Sequence, residues 1–154
     1  MTTLWDDCKE AFREDGSLRD IYVQGTSLED WDRFYGFLLD CGFSLTFARN
    51  GEPAKVPSQA AEALQDPNST HNLMIGVENL TLNCHFFTEE EIELDVDPRE
   101  VHSQSELDLV LGFMRNLGKC LSKEVILTAE NFKDLVWFQY LPDSDQMHYD
   151  GNPI

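Results

Sequence analysis

Residues 91–97 (Glu91, Ile92, Glu93, Leu94, Asp95, Val96, Asp97) alternate strictly between acidic and apolar side chains. Only an extended strand gives period two a physical meaning: Ile92, Leu94 and Val96 go to one face and the four carboxylates to the other. Same-face neighbours in a strand lie about 6.6 Å apart, so the acids form a one-sign ladder about 20 Å long. The strand must therefore lie on a sheet with one face packed and one face polar, which antiparallel sheets provide.

The neighbouring segments extend this into a meander. Residues 73–77 and 80–87 read as strands turning near Glu78 and Asn79, and Thr88, Glu89 and Glu90 turn into the acidic strand. Links this short join antiparallel neighbours and leave no room for crossovers. Upstream, residues 18–24 read as a strand, and Phe43, Leu45 and Phe47 alternate with small or polar residues in another. Asn50-Gly51 is a strong hairpin dipeptide. The return arm at residues 52–56 carries Pro53 and meets Pro57, so it is short or at an edge. Residues 124–128 and 135–141 read as two last strands.

Helical spacing marks four further segments. Leu4, Trp5, Cys8 and Phe12 share one face. Ser27 reads as an N-cap, followed by Leu28, Trp31, Tyr35, Leu38 and Leu39 on an amphipathic stripe that Gly42 stops. Residues 58–65 are good helix formers behind a Ser cap. Leu107, Val110, Leu111, Met114, Leu117 and Leu121 make the most regular stripe, behind a capping-box pattern at Ser103 and Glu106. Helices segregated from runs of short-linked strands predict an α+β fold, a largely antiparallel sheet with the main helices packed on one face. Residues 1–141 read as a single α+β domain and residues 142–154 as a loose polar tail.

With 154 residues, 42% of them apolar, the chain is large enough to bury a core without disulfides or metal. Cys8, Cys41, Cys84 and Cys120 form no Cys-x-x-Cys pair and read as small apolar residues in a reducing compartment. The N-terminus lacks the basic and apolar regions of a signal peptide, and no apolar run approaches a bilayer span, so a cytoplasmic protein without membrane contact is expected. The two Asn-x-Thr matches at Asn68 and Asn79 then have no glycosylation meaning.

The net charge is −18, from 29 acids against 11 bases. Residues 89–100 alone hold seven acids and one Arg, net −6, a third of the total in twelve residues. Such a surface repels phosphates, so no nucleic-acid partner is expected, and anionic membrane is disfavoured likewise. Walker-type loops, dinucleotide fingerprints and nucleophile elbows are missing. His71, His85, His102 and His148 are scattered without metal-ligand spacing, and adjacent Cys84 and His85 point to opposite faces of a strand. No catalytic residue, cofactor or metal is assigned. The ladder has three readings: a solvated face that also protects a sheet edge, a binding surface for a basic protein, or a calcium or magnesium site. The calcium loop pattern is absent, and carboxylates at strand spacing do not converge on one ion. Phe87 shares a register with His85, Asn83 and Thr81. It reads either as an aromatic interface anchor beside the acids or as core at a strand end, the latter slightly preferred.

The runs at residues 91–100, 111–114 and 125–131 resemble small acidic bacterial α/β proteins of largely unassigned function, some of them immunity proteins that neutralise toxins. The resemblance implies a cytoplasmic, cofactor-free protein with a basic protein partner. Glu91, Glu93, Asp95 and Asp97 are then the first partner-binding candidates, and Glu29, Asp30 and Asp32 at the second helix start the next. The function expected is a non-enzymatic acidic protein-binding domain. The alternative is an enzyme or small-ligand binder with a site built from distant residues.

Overall fold

The computed structural model describes residues 3–153. Nine strands form one sheet, every neighbouring pair antiparallel: β1 (Arg19–Gln24), β2 (Ser44–Arg49), β3 (Glu52–Ala54), β4 (His71–Val77), β5 (Leu80–Thr88), β6 (Glu91–Val96), β7 (Val125–Ala129), β8 (Phe132–Leu141) and β9 (Gln146–Tyr149). The spatial order is β3-β2-β4-β5-β6-β1-β7-β8-β9. Four α-helices accompany it: α1 (Trp5–Cys8), α2 (Leu28–Asp40), α3 (Ala60–Leu64) and α4 (Gln104–Leu121). The fold is α+β.

Two crossovers set the topology. The β4–β5–β6 meander forms as its short turns require. Then α4 carries the chain from β6 to β7, and β1 sits between those two parallel strands. In the same way α2 carries the chain from β1 to the parallel strand β2. Both helices lie on one face. Trp31, Phe34, Phe37 and Leu38 of α2 and Leu107, Val110, Met114 and Leu117 of α4 share one apolar core with Ile21, Val23, Leu82, Cys84, Ile92, Leu94 and Val96. The helices meet edge-on at Phe37 and Phe113, whose ring centres are 5.6 Å apart. Each large side chain buried here contributes about 1.5–3 kcal/mol. Gly118 brings α4 onto β8, because a Cβ there would stand 2.5 Å from the Tyr140 ring.

Local signals explain the ends. Ser27 and Asp30 close a reciprocal capping box on α2. At α4 the expected box is altered: the Ser103 hydroxyl donates to the Glu106 carboxylate at 2.6 Å and caps no backbone N–H. Asn50 and Gly51 both take positive φ (53° and 79°), as a two-residue hairpin turn demands.

Three expectations are corrected. The first helix is one α-turn followed by a 3-10 turn, Lys9–Phe12. The buried Arg19 closes its C-terminal end, where its guanidinium donates to the carbonyls of Ala11 and Arg13. The third helix begins at Ala60, and Ser58 bonds the Glu62 side chain instead of capping. Residues 142–153 are not simply a tail; residue 154 of that expectation lies outside the described residues. Gln146–Tyr149 pairs with β8, where Tyr149 packs on Phe138 (ring centres 4.9 Å apart) and on Trp137. That packing outweighs the polar composition.

Candidate partner-binding surface

The acidic face of β6 looks away from the helices. Ile92, Leu94 and Val96 are fully buried in the core, as their alternation requires, and Glu91, Glu93 and Asp95 lie on the helix-free face. The neighbours β1 and β5 place Asp20 and Asn83 opposite Asp95, and Tyr22 and His85 opposite Glu93. The ladder thus meets specific polar partners on both sides.

Those partners change its character. Asp95 is buried: one carboxylate oxygen lies 2.7 Å from His85 Nε2 and the other accepts from Asn83 at 3.2 Å. Asp20, only 4% exposed, accepts from the Tyr22 hydroxyl at 2.9 Å and from the Asn131 backbone N–H at 2.7 Å. Glu91 is half-buried and pairs with Lys133 at 2.6 Å, while the same ammonium stands 5.0 Å over the Tyr22 ring. Two register shifts between β7 and β8 accompany this reach of Lys133. The expectation of a freely solvated ladder is therefore replaced by a half-buried polar network.

Its electrostatics follow from geometry. Burial, followed by the field of nearby acids, raises the Glu93 carboxyl above the usual range. Burial raises Asp20 too, against the bonds from Asn131 and Tyr22. The hydrogen bond to Asp95 raises His85 against its own desolvation. Asp97 behaves differently: it caps the 3-10 turn Pro98–Glu100 by accepting from the Arg99 backbone and guanidinium, and those bonds lower it. Among the described residues, no three His, Cys, Asp or Glu side chains converge as a metal ligand set.

The second acidic group lies at the same end of the sheet. The backbone carbonyl of Glu89 accepts from Thr26 Oγ1 at 2.7 Å and from Trp31 Nε1 at 3.1 Å, and that of Glu90 accepts from Thr26 N at 3.0 Å. These bonds fix the α2 N-terminus against the β5–β6 turn. Asp30 is buried in its capping box, Glu29 is exposed and salt-bridged to Arg33 at 2.8 Å, and Asp32 is exposed. The solvated acids of this end are thus Glu29, Asp32, Glu89 and Glu90.

Phe87 completes the surface. It is not core: it is 72% exposed, and its ring lies parallel to that of His85, with centres 5.2 Å apart and planes 5° off. Period two already sends it to the polar face, while Phe86 turns inward and stacks on Trp31 at 5.2 Å. Sequence reasoning missed Asp20 and Tyr22 as partners of the ladder. The polar alternation of Asp20, Tyr22 and Gln24 was visible, but the pairing of β1 with β6 spans some seventy residues and leaves no local mark.

Comparison with protein-family models found no match, and comparison with curated proteins and with solved structures found none either.

Proposed function

We propose that this chain is a non-enzymatic protein-binding module that engages a basic protein partner, in the manner of a cytoplasmic immunity protein covering a basic toxin surface. Phe87 carries the proposal. An exposed aromatic held rigid by stacking, at the rim of a strongly acidic end, is the chemistry of an interface anchor. Its stacking on His85 fixes the ring before any partner arrives, so less conformational entropy is lost on docking. Exposed Glu29, Asp32, Glu89 and Glu90 supply a one-sign field that speeds and orients encounter with a cationic surface. Half-buried Glu91 and Glu93 form the inner margin. Asp30, Asp95 and Asp97 hold the scaffold, because their oxygens are already engaged internally.

The test screens neighbouring genes for a toxin with a basic C-terminal domain and, with that domain as the ligand, uses calorimetry and stopped-flow association at two salt concentrations; a neighbourhood that encodes no basic protein counts against the proposal. Reversal of Glu89 and Glu90 to Lys slows association and flattens its salt dependence. Phe87→Ala speeds dissociation about tenfold or more. Unchanged affinity in both variants would falsify the proposal.

A second reading, an enzyme or ligand binder built from distant residues, is favoured by one observation: Asp20, Glu93 and His85 are all shifted and lie together, as acid–base groups do at active sites. On that reading His85→Gln abolishes turnover or ligand binding.

A further inference from the structure

We infer that the cleft between the β2–β3 hairpin and α3 binds a small organic anion, a carboxylate or phosphate monoester carried on an apolar body. The cleft encloses about 650 Å³ and is lined by Arg49, Lys55 and His71 together with Phe47, Val56 and Pro57. Arg49 and Lys55 bring two of the chain's 11 bases to one cleft.

Matching donors to acceptors identifies the ligand chemistry. Two carboxylates, Glu62 and Asp66, also border the cleft, and both have internal donors. Glu62 accepts from the Ser58 hydroxyl at 2.7 Å. Asp66 accepts from Arg49 Nη2 at 2.8 Å, and the same oxygen stands 3.2 Å from His71 Nε2. The donors are not exhausted. A guanidinium has five N–H groups and an ammonium three. The Arg49 bond to Asp66 uses one nitrogen, and Lys55 is exposed with no carboxylate in ion-pair range among the described residues. Arg49 and Lys55 therefore present spare donors to the cleft, which suit an acceptor-rich anion.

The remaining lining specifies the rest of the molecule. His71 is nearly buried and stacks on the buried Phe47, with ring centres 6.0 Å apart and planes 25° off, and this pair forms the floor of the cleft. Val56 and Pro57 add aliphatic wall. An apolar or aromatic body lies against this floor while its anionic group reaches Arg49 and Lys55. The volume suits a small organic molecule. None of the residues proposed to meet a protein partner lines this cleft, so the two proposals stand or fall separately.

The experiment titrates the full chain with benzoate, phenyl phosphate and neutral benzamide, following backbone amide resonances. One or both charged probes should give saturable shifts confined to residues 47–71, and which of them does so separates carboxylate from phosphate recognition. Lys55→Gln should weaken that binding about tenfold and Lys55→Arg should retain it. Lys55 is exposed and its side chain bonds no other group among the described residues, so both variants keep the fold. Equal shifts from benzamide, unchanged affinity in Lys55→Gln, or no response at about 10 mM of either charged probe overturns the inference.

Discussion

The two faces of β6 carry side chains from adjacent positions of one strand, yet they exclude water by different means. On the helix side Ile92, Leu94 and Val96 are buried by apolar packing under α2 and α4. On the other side no helix covers Glu93 and Asp95, and Asp95 is buried between two hydrogen-bond partners from β5, Asn83 and His85. Apolar burial is non-directional and stabilises in proportion to area. Polar burial stabilises only while every partner stays in place, because an unpaired buried charge costs several kcal/mol. The core face should therefore dominate stability, and the polar face should dominate its pH dependence.

Truncation separates these contributions. Leu94→Ala should cost about 2–5 kcal/mol in urea unfolding, from lost transfer energy and the cavity left behind. Asp95→Asn, one residue away, should cost about 1 kcal/mol or less at neutral pH. It loses the charge-assisted bond to His85 but also relieves repulsion of the facing Asp20. If Asp95→Asn costs as much as Leu94→Ala, the polar network is a second core. Next in size is Gly118→Ala. A methyl group 2.5 Å from the Tyr140 ring, with the Lys123 carbonyl at 3.0 Å, forces α4 off β8 and should cost about 1–3 kcal/mol, read as a lower melting temperature.

The pH profile sharpens the contrast. Asp20 and Glu93 are raised in the fold by burial, so their contribution is fully present below the ordinary carboxyl range and is lost as pH rises through their folded values. His85 is raised by its bond to Asp95, so its contribution is present below the unfolded imidazole value of about 6.5 and is lost as pH rises through the higher folded value. Both slopes have one sign: stability should fall as pH rises from the ordinary carboxyl range through and beyond the ordinary imidazole value of about 6.5, whereas Leu94→Ala should shift the whole curve without changing its shape. Asp95→Asn should remove the His85 part of the slope. A profile unaltered by Asp95→Asn would show that the network does not set it.

How much of this was legible depended on whether the signal was local. The β6 alternation, the α4 stripe and the Asn50-Gly51 turn each act within a few residues, and each formed as read. The position of β1 between β6 and β7 did not follow from any local pattern, since two helical crossovers decide it. Without it, Asp20 and Tyr22 cannot be seen opposite Asp95 and Glu93, and the ladder reads as solvated. The segment Gln146–Tyr149 was misread for a related reason: its composition is polar, but Tyr149 finds Phe138 and Trp137 only in the folded sheet. With Phe87 the fault lay in the weighing. Period two placed it beside His85, and hydrophobicity argued for the core; in a strand, period decides.

Phe87 gives the comparison its finest test. A core phenylalanine cut to alanine costs about 3–5 kcal/mol. Phe87 is 72% exposed, and its principal packing is one parallel stack on His85, an arrangement contributing about 0.5–1.5 kcal/mol at most. Phe87→Ala should therefore lower stability by no more than about 0.5–1 kcal/mol in urea unfolding. Its neighbour Phe86, stacked on Trp31 and edge-on to Phe47, should show the full core cost when truncated. A cost at Phe87 equal to that at Phe86 would mean the ring serves the fold. A small cost would show that the ring contributes little to the fold, as its exposure leads one to expect.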